Sequence, residues 1–457
     1  MRKSITKISL ICSLLLMAAA AHAQTDTAAE FKPSGKIWGY AFGDYAWKGA
    51  TDELKRGGSN QYTNIPLNAN LFQWRRVYLG YDYNISAKFS TELLLAAEDD
   101  WAGNVLGQPA ASVTVSTVTG TSTAVGLGNN GDVLMNNKFA PYIKLANVRW
   151  KNIFKNSDLV FGQQNTPAYA KTGRNNQTAE ELWGYRSIER TITDIRRTSS
   201  YDFGASLQGW FDNKGNFGYD VLIANGQGAK PENDPYKWVY GDIYAKFLNK
   251  KLIVQLYQDY AKLNWGVWAN GAKTGIESPN GPRYQDRNMT KLFVCYTDPK
   301  FTIGFEGYMN TLMGDVVVTG VDKNTYYRTT KAMGEEIFVK GRITKSELGF
   351  FAMFDNLDPS TNLKNIVNEA NTAKYSVGTS QYDPTTKEMF VTFGLDYTPV
   401  KNVHIMPNIW MNTYNSSLDA TQSNTATKPV AYTAMNGNVT TVKGTDAVYR
   451  ITLYYRF

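Results

Sequence analysis

The chain of 457 residues carries 48 Lys and Arg against 40 Asp and Glu, a formal charge of +8, and holds only two Cys and two His. So few His and Cys exclude a His- or Cys-ligated metal centre, and cations scattered among aromatic and polar residues exclude the basic patch of a nucleic-acid-binding protein. Beyond the N-terminus no apolar run approaches the roughly eighteen residues of a membrane helix, yet a mean hydropathy of −0.38 does not exclude a membrane barrel, which turns only every second residue to lipid.

Arg2, Lys3 and Lys7 precede an apolar run from Ile8 to Ala21, and Ala21-His22-Ala23 has the small-x-small form cut by signal peptidase. A run of about fourteen residues falls short of the roughly twenty needed to span a bilayer. Residues 1–23 are therefore expected to be a cleaved signal peptide, with residues 24–34 a periplasmic leader and 35–457 a barrel. Cleavage removes three cations and leaves Cys295 as the one cysteine, so no intrachain disulfide forms.

From residue 35 onward, segments of period-two alternation recur near 35–47, 71–83, 87–98, 141–151, 158–164, 201–211, 217–225, 237–248, 251–260, 289–297, 301–310, 335–343, 346–354, 389–397, 402–412 and 447–457. The last is the clearest: Tyr449, Ile451, Leu453, Tyr455 and Phe457 alternate with Arg450, Thr452, Tyr454 and Arg456. Tight turns such as Asp212–Asn216, Leu248–Lys250 and Thr297–Lys300 alternate with long Asn-, Gly- and Thr-rich connections, notably 99–139, 261–287, 311–333, 355–387 and 413–445. A soluble sandwich has no reason to sort its turns by side. The pattern predicts an all-β transmembrane antiparallel barrel of about 16 strands in the bacterial outer membrane, with short turns toward the periplasm. The 29 Tyr and 11 Trp fit the aromatic girdles of such a barrel.

The connection from about 165 to 200 differs from the other long ones in its charge. Thr178 and Glu181 form a capping box, and Leu182, Tyr185, Ile188 and Ile192 fall at helical spacing. A short helix in an inward-folded loop is expected, fastened to the wall by these apolar residues. Arg174, Arg186, Glu189, Arg190, Asp194, Arg196 and Arg197 are its candidate constriction charges, because a charge in a narrow passage escapes the screening that acts within about 8 Å outside. Projection of the strands turns Arg76, Arg149, Lys246, Lys340, Arg342 and Arg450 toward the lumen, with Glu92, Asp202, Asp220, Asp242, Glu306 and Asp396 facing them. A cation in mid-membrane lipid costs about 2 to 4 kcal/mol, which favours this inward assignment. Arg75 and Arg76 cannot both point inward from a regular strand, so one lies at the interface or the strand is bulged there.

Arg75-Arg76-Val77-Tyr78-Leu79-Gly80-Tyr81 resembles the Arg-Arg-x-x-Leu-Gly strand of the phosphate-selective porin O and P family. So do Phe161-Gly162-Gln163-Gln164-Asn165-Thr166-Pro167, Ser187-Ile188-Glu189-Arg190 and Asp202-Phe203-Gly204-Ala205-Ser206-Leu207-Gln208-Gly209, in the same order and spacing. The resemblance implies a sixteen-stranded homotrimer in which a third outer loop folds into the lumen. It implies an outer-membrane porin for passive diffusion of small hydrophilic solutes; anion or phosphate preference is a separate expectation, set against a general pore with a transverse field because inward carboxylates face the inward cations. Outer-membrane lipid and lipopolysaccharide are the expected surroundings, and no cofactor, metal or nucleic-acid partner is implied.

Two other functions fit a barrel. A non-conducting binding or adhesion barrel would use the large loops 99–139 and 413–445. A barrel-embedded hydrolase needs a base, and His404, the one mature histidine, has no recognisable nucleophile arrangement near it in the sequence. Paired carboxylates at Asp99-Asp100 and Glu335-Glu336 are expected at strand ends, where solvation accounts for them.

Overall fold

The computed structural model describes residues 31–52, 65–98, 112–116, 122–126, 141–169, 191–193, 198–232, 234–264, 284–320, 325–343, 347–363, 365, 372–377, 386–416, 432–433, 439–440 and 444–457. Sixteen strands close into one antiparallel barrel. They are β1 (Ser34–Ala50), β2 (Asn70–Asn84), β3 (Phe89–Glu98), β4 (Pro141–Phe154), β5 (Ser157–Asn165), β6 (Tyr201–Trp210), β7 (Phe217–Ala224) and β8 (Trp238–Phe247). The second half comprises β9 (Leu252–Asn264), β10 (Tyr284–Thr297), β11 (Phe301–Gly320), β12 (Thr325–Arg342), β13 (Leu348–Asp358), β14 (Thr386–Val400), β15 (Val403–Ser416) and β16 (Gly444–Arg456). Each pairs with the next, and β16 returns to β1 from Tyr40 opposite Arg456 to Ala50 opposite Ala447. Closure leaves no strand edge open.

The alternation in sequence becomes an inside-out distribution of polarity. On β8, Val239 and Ile243 are 41% and 55% exposed on the outer face, whereas Asp242 between them is 4% exposed on the inner one. The same reversal holds on β16, where Tyr449, Ile451, Leu453 and Tyr455 are exposed and Arg450 and Thr452 are buried. Exposed apolar and buried ionic side chains are what a bilayer as solvent demands, because each lipid-facing backbone group is satisfied within the sheet. Among the described residues no helix is long and apolar enough to cross a membrane.

Seven short turns join β2–β3, β4–β5, β6–β7, β8–β9, β10–β11, β12–β13 and β14–β15, at one end of the barrel. Asn156 and Asn402 take left-handed φ values of 60° and 71° there, a conformation the short Asn side chain tolerates. At the seam, the Phe457 N–H donates to the Gly39 carbonyl at 3.0 Å and Gly39 N–H to that of Phe457 at 3.1 Å. The Phe457 ring lies where a Cβ on Gly39 would be, so the bare glycine lets the terminal ring close over the junction.

One expected connection is much shorter than the sequence suggests. The span 311–333 was to be an outer loop, but β11 and β12 continue through it, pairing as far as Thr319 with Thr325. Val316–Gly320 then takes a further partner, the strand Thr372–Val377 of the next connection. The run Thr325-Tyr326-Tyr327-Arg328-Thr329-Thr330 is rich in strand-forming residues; its polarity reads as loop only if strands are assumed to stop at the membrane. Glu335 and Glu336 consequently lie within β12, with Glu336 fully buried, and not at a strand end.

Candidate functional site

The barrel interior is a polar channel wall with a folded-in connection packed against it. The residues linking β5 to β6 begin with a buried single turn of 3-10 helix, Pro167–Tyr169. From there the Ala168 carbonyl accepts a hydrogen bond from Lys291 of β10, and the Pro167 carbonyl one from Gln255 of β9 at 3.4 Å. Further along, the Ile192 N–H donates to Glu336 of β12 at 2.5 Å, and the Thr193 N–H to Glu306 of β11 at 3.2 Å. The Thr193 hydroxyl also donates to Glu306, and Arg287 of β10 donates to the Thr198 hydroxyl. Ile192 is fully buried beside Leu222, Trp238, Tyr240, Tyr257 and Met289 of the inner wall. The described parts of the connection thus reach from β5 to strands several places around the barrel, which places those parts in the lumen.

Its docking wall is an unusual concentration of charge. Glu306 and Glu336 are directly opposed across β11 and β12, and Asp355 of β13 opposes Glu336. Lys291 lies 3.2 Å from Glu306, with both side chains at 0% exposure. Like charges side by side are unfavourable on a sheet; here backbone N–H groups of the loop and the Lys291 ammonium compensate them.

The opposite wall carries arginines on aromatic faces. The register steps from Phe42 opposite Arg76 to Gly43 opposite Trp74, so the backbone of Arg75 is skipped in the β1–β2 register and occupies a β-bulge. Arg75 and Arg76 both point inward and are 2% exposed. Arg75 lies 3.3 Å from Asp44, and Arg76 3.5 Å from Glu98. Arg75 and Arg450 stack on Trp410, with guanidinium-to-ring distances of 4.8 and 3.9 Å, and Arg450 donates to Asn408 at 2.8 Å. Glu98 also takes Lys144 at 2.6 Å and Tyr142 at 3.0 Å. Between these walls, Arg149 pairs with Asp158 at 3.1 Å, and Asp202, Asp220 and Asp242 follow one another on β6, β7 and β8.

Of the cations that projection turns inward, Arg76 and Arg450 lie in the arginine–aromatic wall. Arg149, Lys246, Lys340 and Arg342 lie near the short-turn end of their strands. Arg174, Arg186, Glu189, Arg190, Asp194, Arg196, Arg197 and the helix expected around 178–190 fall outside the described residues. Sequence reasoning missed Lys144, Arg287 and Lys291 as inward cations. Lys291 was findable, since a lysine flanked by Leu292 and Phe293 in a membrane strand must avoid lipid; Arg287 was not, because it lies before the segment read as a strand.

His404 is better partnered than its sequence neighbourhood suggests. Its Nδ1 lies 2.7 Å from Asp396 and 3.1 Å from the Thr398 hydroxyl. A hydrolytic relay needs the acid on one ring nitrogen and the nucleophile on the other. Here both contact Nδ1, so this arrangement does not pass a proton from Thr398 across the ring.

A closed barrel with lipid-facing apolar residues, an ionic lumen and a connection folded across it decides the architecture. This is the fold of an outer-membrane β-barrel. The outer-membrane channel DcaP of Acinetobacter baumannii matches at 9% identity with a TM-score of 0.51, over 95% of this chain and 100% of that one. OprB of Pseudomonas putida, in a structure determined at high pH, matches at 8% identity and a TM-score of 0.51, over 93% of this chain and 94% of that one. At these identities the likeness is one of fold. No family model and no curated protein matches the chain.

Proposed function

We propose that the protein is an outer-membrane porin that lets small hydrophilic solutes diffuse passively through a lumen narrowed by the β5–β6 connection. The observation that carries this reading is the set of hydrogen bonds in which the Ile192 and Thr193 N–H groups donate to Glu336 and Glu306 and the Ala168 carbonyl accepts from Lys291. A connection tied to the far wall narrows a passage without filling the barrel as a folded plug would, and the charges beside it act on solutes in a partly dehydrated space. Export by cleavage after Ala23, with residues 24–34 as a leader, belongs to the same proposal. So does a homotrimer, for which the exposed aromatic face of β1, β2 and β16 (Trp47, Phe72, Trp74, Tyr449) offers a surface.

Anion or phosphate preference is the finer reading. In its favour stand the sequence resemblance and the cations near the short turns. Against it, the arginines of the wall are matched by Asp44 and Glu98 and Arg149 by Asp158, while Asp202, Asp220 and Asp242 follow on β6 to β8. We infer a general pore with a transverse field, and a weak ion preference at most. Swelling of liposomes containing the folded protein, in solutions of sugars of increasing size, tests the diffusion reading. Entry of small sugars with a sharp size limit is expected; no sugar entry from folded protein would refute it.

A further inference from the structure

The described ends of a second connection, between β1 and β2, also turn into the lumen. Where β1 ends, the Asp52 N–H donates to the Asp446 carboxylate of β16 at 3.0 Å, and the Lys48 ammonium donates to the same oxygen at 2.7 Å. The Tyr414 hydroxyl of β15 donates to the other oxygen at 3.0 Å. Asp446 shares the inward face of β16 with Arg450, and Lys48, Asp52 and Asp446 are each 1% exposed. The chain leaving β1 therefore bends across the inner face of β16.

It returns to β2 on the same side. Ile65, 2% exposed, belongs to one apolar cluster with Phe42 and Ala46 of β1, Phe390 of β14, Trp410 of β15 and Val448 of β16. These are inner-wall residues: the Phe42 ring carries the guanidinium of Arg75 at 5.3 Å, and Trp410 those of Arg75 and Arg450. A local turn brings Ile65 there. The Ala69 N–H donates to the Pro66 carbonyl at 3.1 Å, and Asn68 within that turn takes a φ of 65°. The Thr51 hydroxyl donates to the Ile65 carbonyl at 3.0 Å, so the outgoing and returning ends hold each other.

The sheet register relates this clamp to the one on the β5–β6 connection. Glu306, Glu336, Asp355, Phe390, Asn412 and Asp446 oppose one another in succession from β11 to β16. The carboxylates that hold the two connections thus stand at the two ends of one row. Strands of such barrels tilt by about 35 to 45°, so the row climbs along the axis. Glu306 lies nearer the short-turn end of β11, and Asp446 nearer the long-connection end of β16.

We propose that the described ends of the β1–β2 connection make a second narrowing of the passage, in series with the first, and that Lys48 and Asp446 fix its aperture by clamping Asp52 and Ile65 to the wall. The aperture rests on the diffusion reading; the clamp does not. Breaking a buried ion pair leaves an uncompensated charge, so loss of Asp446 frees both ends of the connection.

Two measurements on the folded full-length protein test this. Labelling of Ile65→Cys by a water-soluble maleimide in non-ionic detergent should run at least about tenfold slower than that of Leu67→Cys, because a buried thiol reacts only on local opening. Leu67 is the exposed neighbour, and the wild type, whose Cys295 is buried, gives the background. Adding Asp446→Ala should accelerate Ile65→Cys at least about tenfold. In planar bilayers Asp446→Ala should raise the single-channel conductance of both the wild type and Glu306→Ala, as removing one of two resistances in series does. Asp446→Glu, which keeps the charge, should raise it less. Ile65→Cys labelled as fast as Leu67→Cys or not accelerated by Asp446→Ala, or steps of unchanged size after Asp446→Ala, would overturn the second narrowing and leave the diffusion reading standing. Absence of steps from the wild type would overturn both.

Discussion

Glu306 and Glu336 hold the β5–β6 connection mainly through its backbone N–H groups, so the attachment depends little on which side chains the loop carries. Glu336→Ala leaves the Ile192 N–H without its acceptor, a loss of about 1 to 3 kcal/mol. Glu306→Ala is expected to cost more, about 3 to 5 kcal/mol, because it also strands the buried Lys291 charge. Trypsin acting on the folded protein reads the difference at Arg186 and Arg190 of the same connection. Cleavage there should accelerate in the order wild type, Glu336→Ala, Glu306→Ala; equal rates would separate the loop from these carboxylates.

Three short turns make a pH prediction at the same scale. The hydrogen bond from Lys251 holds the Asp298 carboxyl below its ordinary range, and Asp298 in turn raises Lys251. In the β6–β7 turn, the backbone N–H groups of Phe217 and Asn216 lower Asp212. Lowered carboxyls stabilise fully above the ordinary carboxylate pKa near 4 and lose that contribution as pH falls through their depressed values. The Lys251 contribution is complete below the ordinary lysine value and is lost as pH rises through the raised one. Amide exchange relative to intrinsic rates should therefore rise on acidification in all three turns, and on alkalinisation only in the two that Lys251 and Asp298 join. Extra exchange on acidification should vanish in Asp212→Asn and Asp298→Asn; its persistence would place the acid-sensitive contacts elsewhere.

At the scale of elements, strand parity was legible wherever one face is purely apolar. β16 is such a case, and its pairing with β1 follows from alternation and closure alone. The Arg75-Arg76 bulge was legible as a conflict, since neither arginine belongs in lipid; which strand absorbs it required the register, because Phe42 and Gly43 give no signal of the extra residue opposite them. The projecting β11–β12 hairpin was not legible, since period two says nothing about where a membrane ends. The outer face of β9 supplies that boundary: apolar through Leu256, it becomes polar at Gln258, which bonds Asn288 at 3.2 Å and also accepts from Thr290. Ile243 pairs with Leu256 well inside the apolar belt. Ile243→Lys should therefore cost about 2 to 4 kcal/mol and Gln258→Lys about 0 to 1. Urea titration of folding in lipid vesicles measures both, and equal costs would contradict this placement of the belt.

For the whole molecule, fold and loop behaviour divide along a physical line. The barrel follows from repetition: alternate residues, alternate turn lengths and an even number of strands all express one constraint, the satisfaction of backbone groups in lipid. The lumen follows from no such repetition. Its contacts join residues far apart in the chain, such as Thr193 with Glu306 and Arg450 with Trp410, and a periodic pattern cannot specify which inward residues meet. The helix read at Thr178–Arg190 lies outside the described residues, and the groups that dock the described parts of this connection, Lys291, Glu306 and Glu336, lie on strands with no local mark of that role.

The central proposal is that the lumen is an open passage narrowed by this connection. Single-channel recording of the folded protein in planar bilayers tests that directly. Discrete ohmic steps are expected, with larger conductance after Glu306→Ala loosens the connection. A folded protein that inserts without producing steps, or a Glu306→Ala conductance equal to that of the wild type, would contradict it.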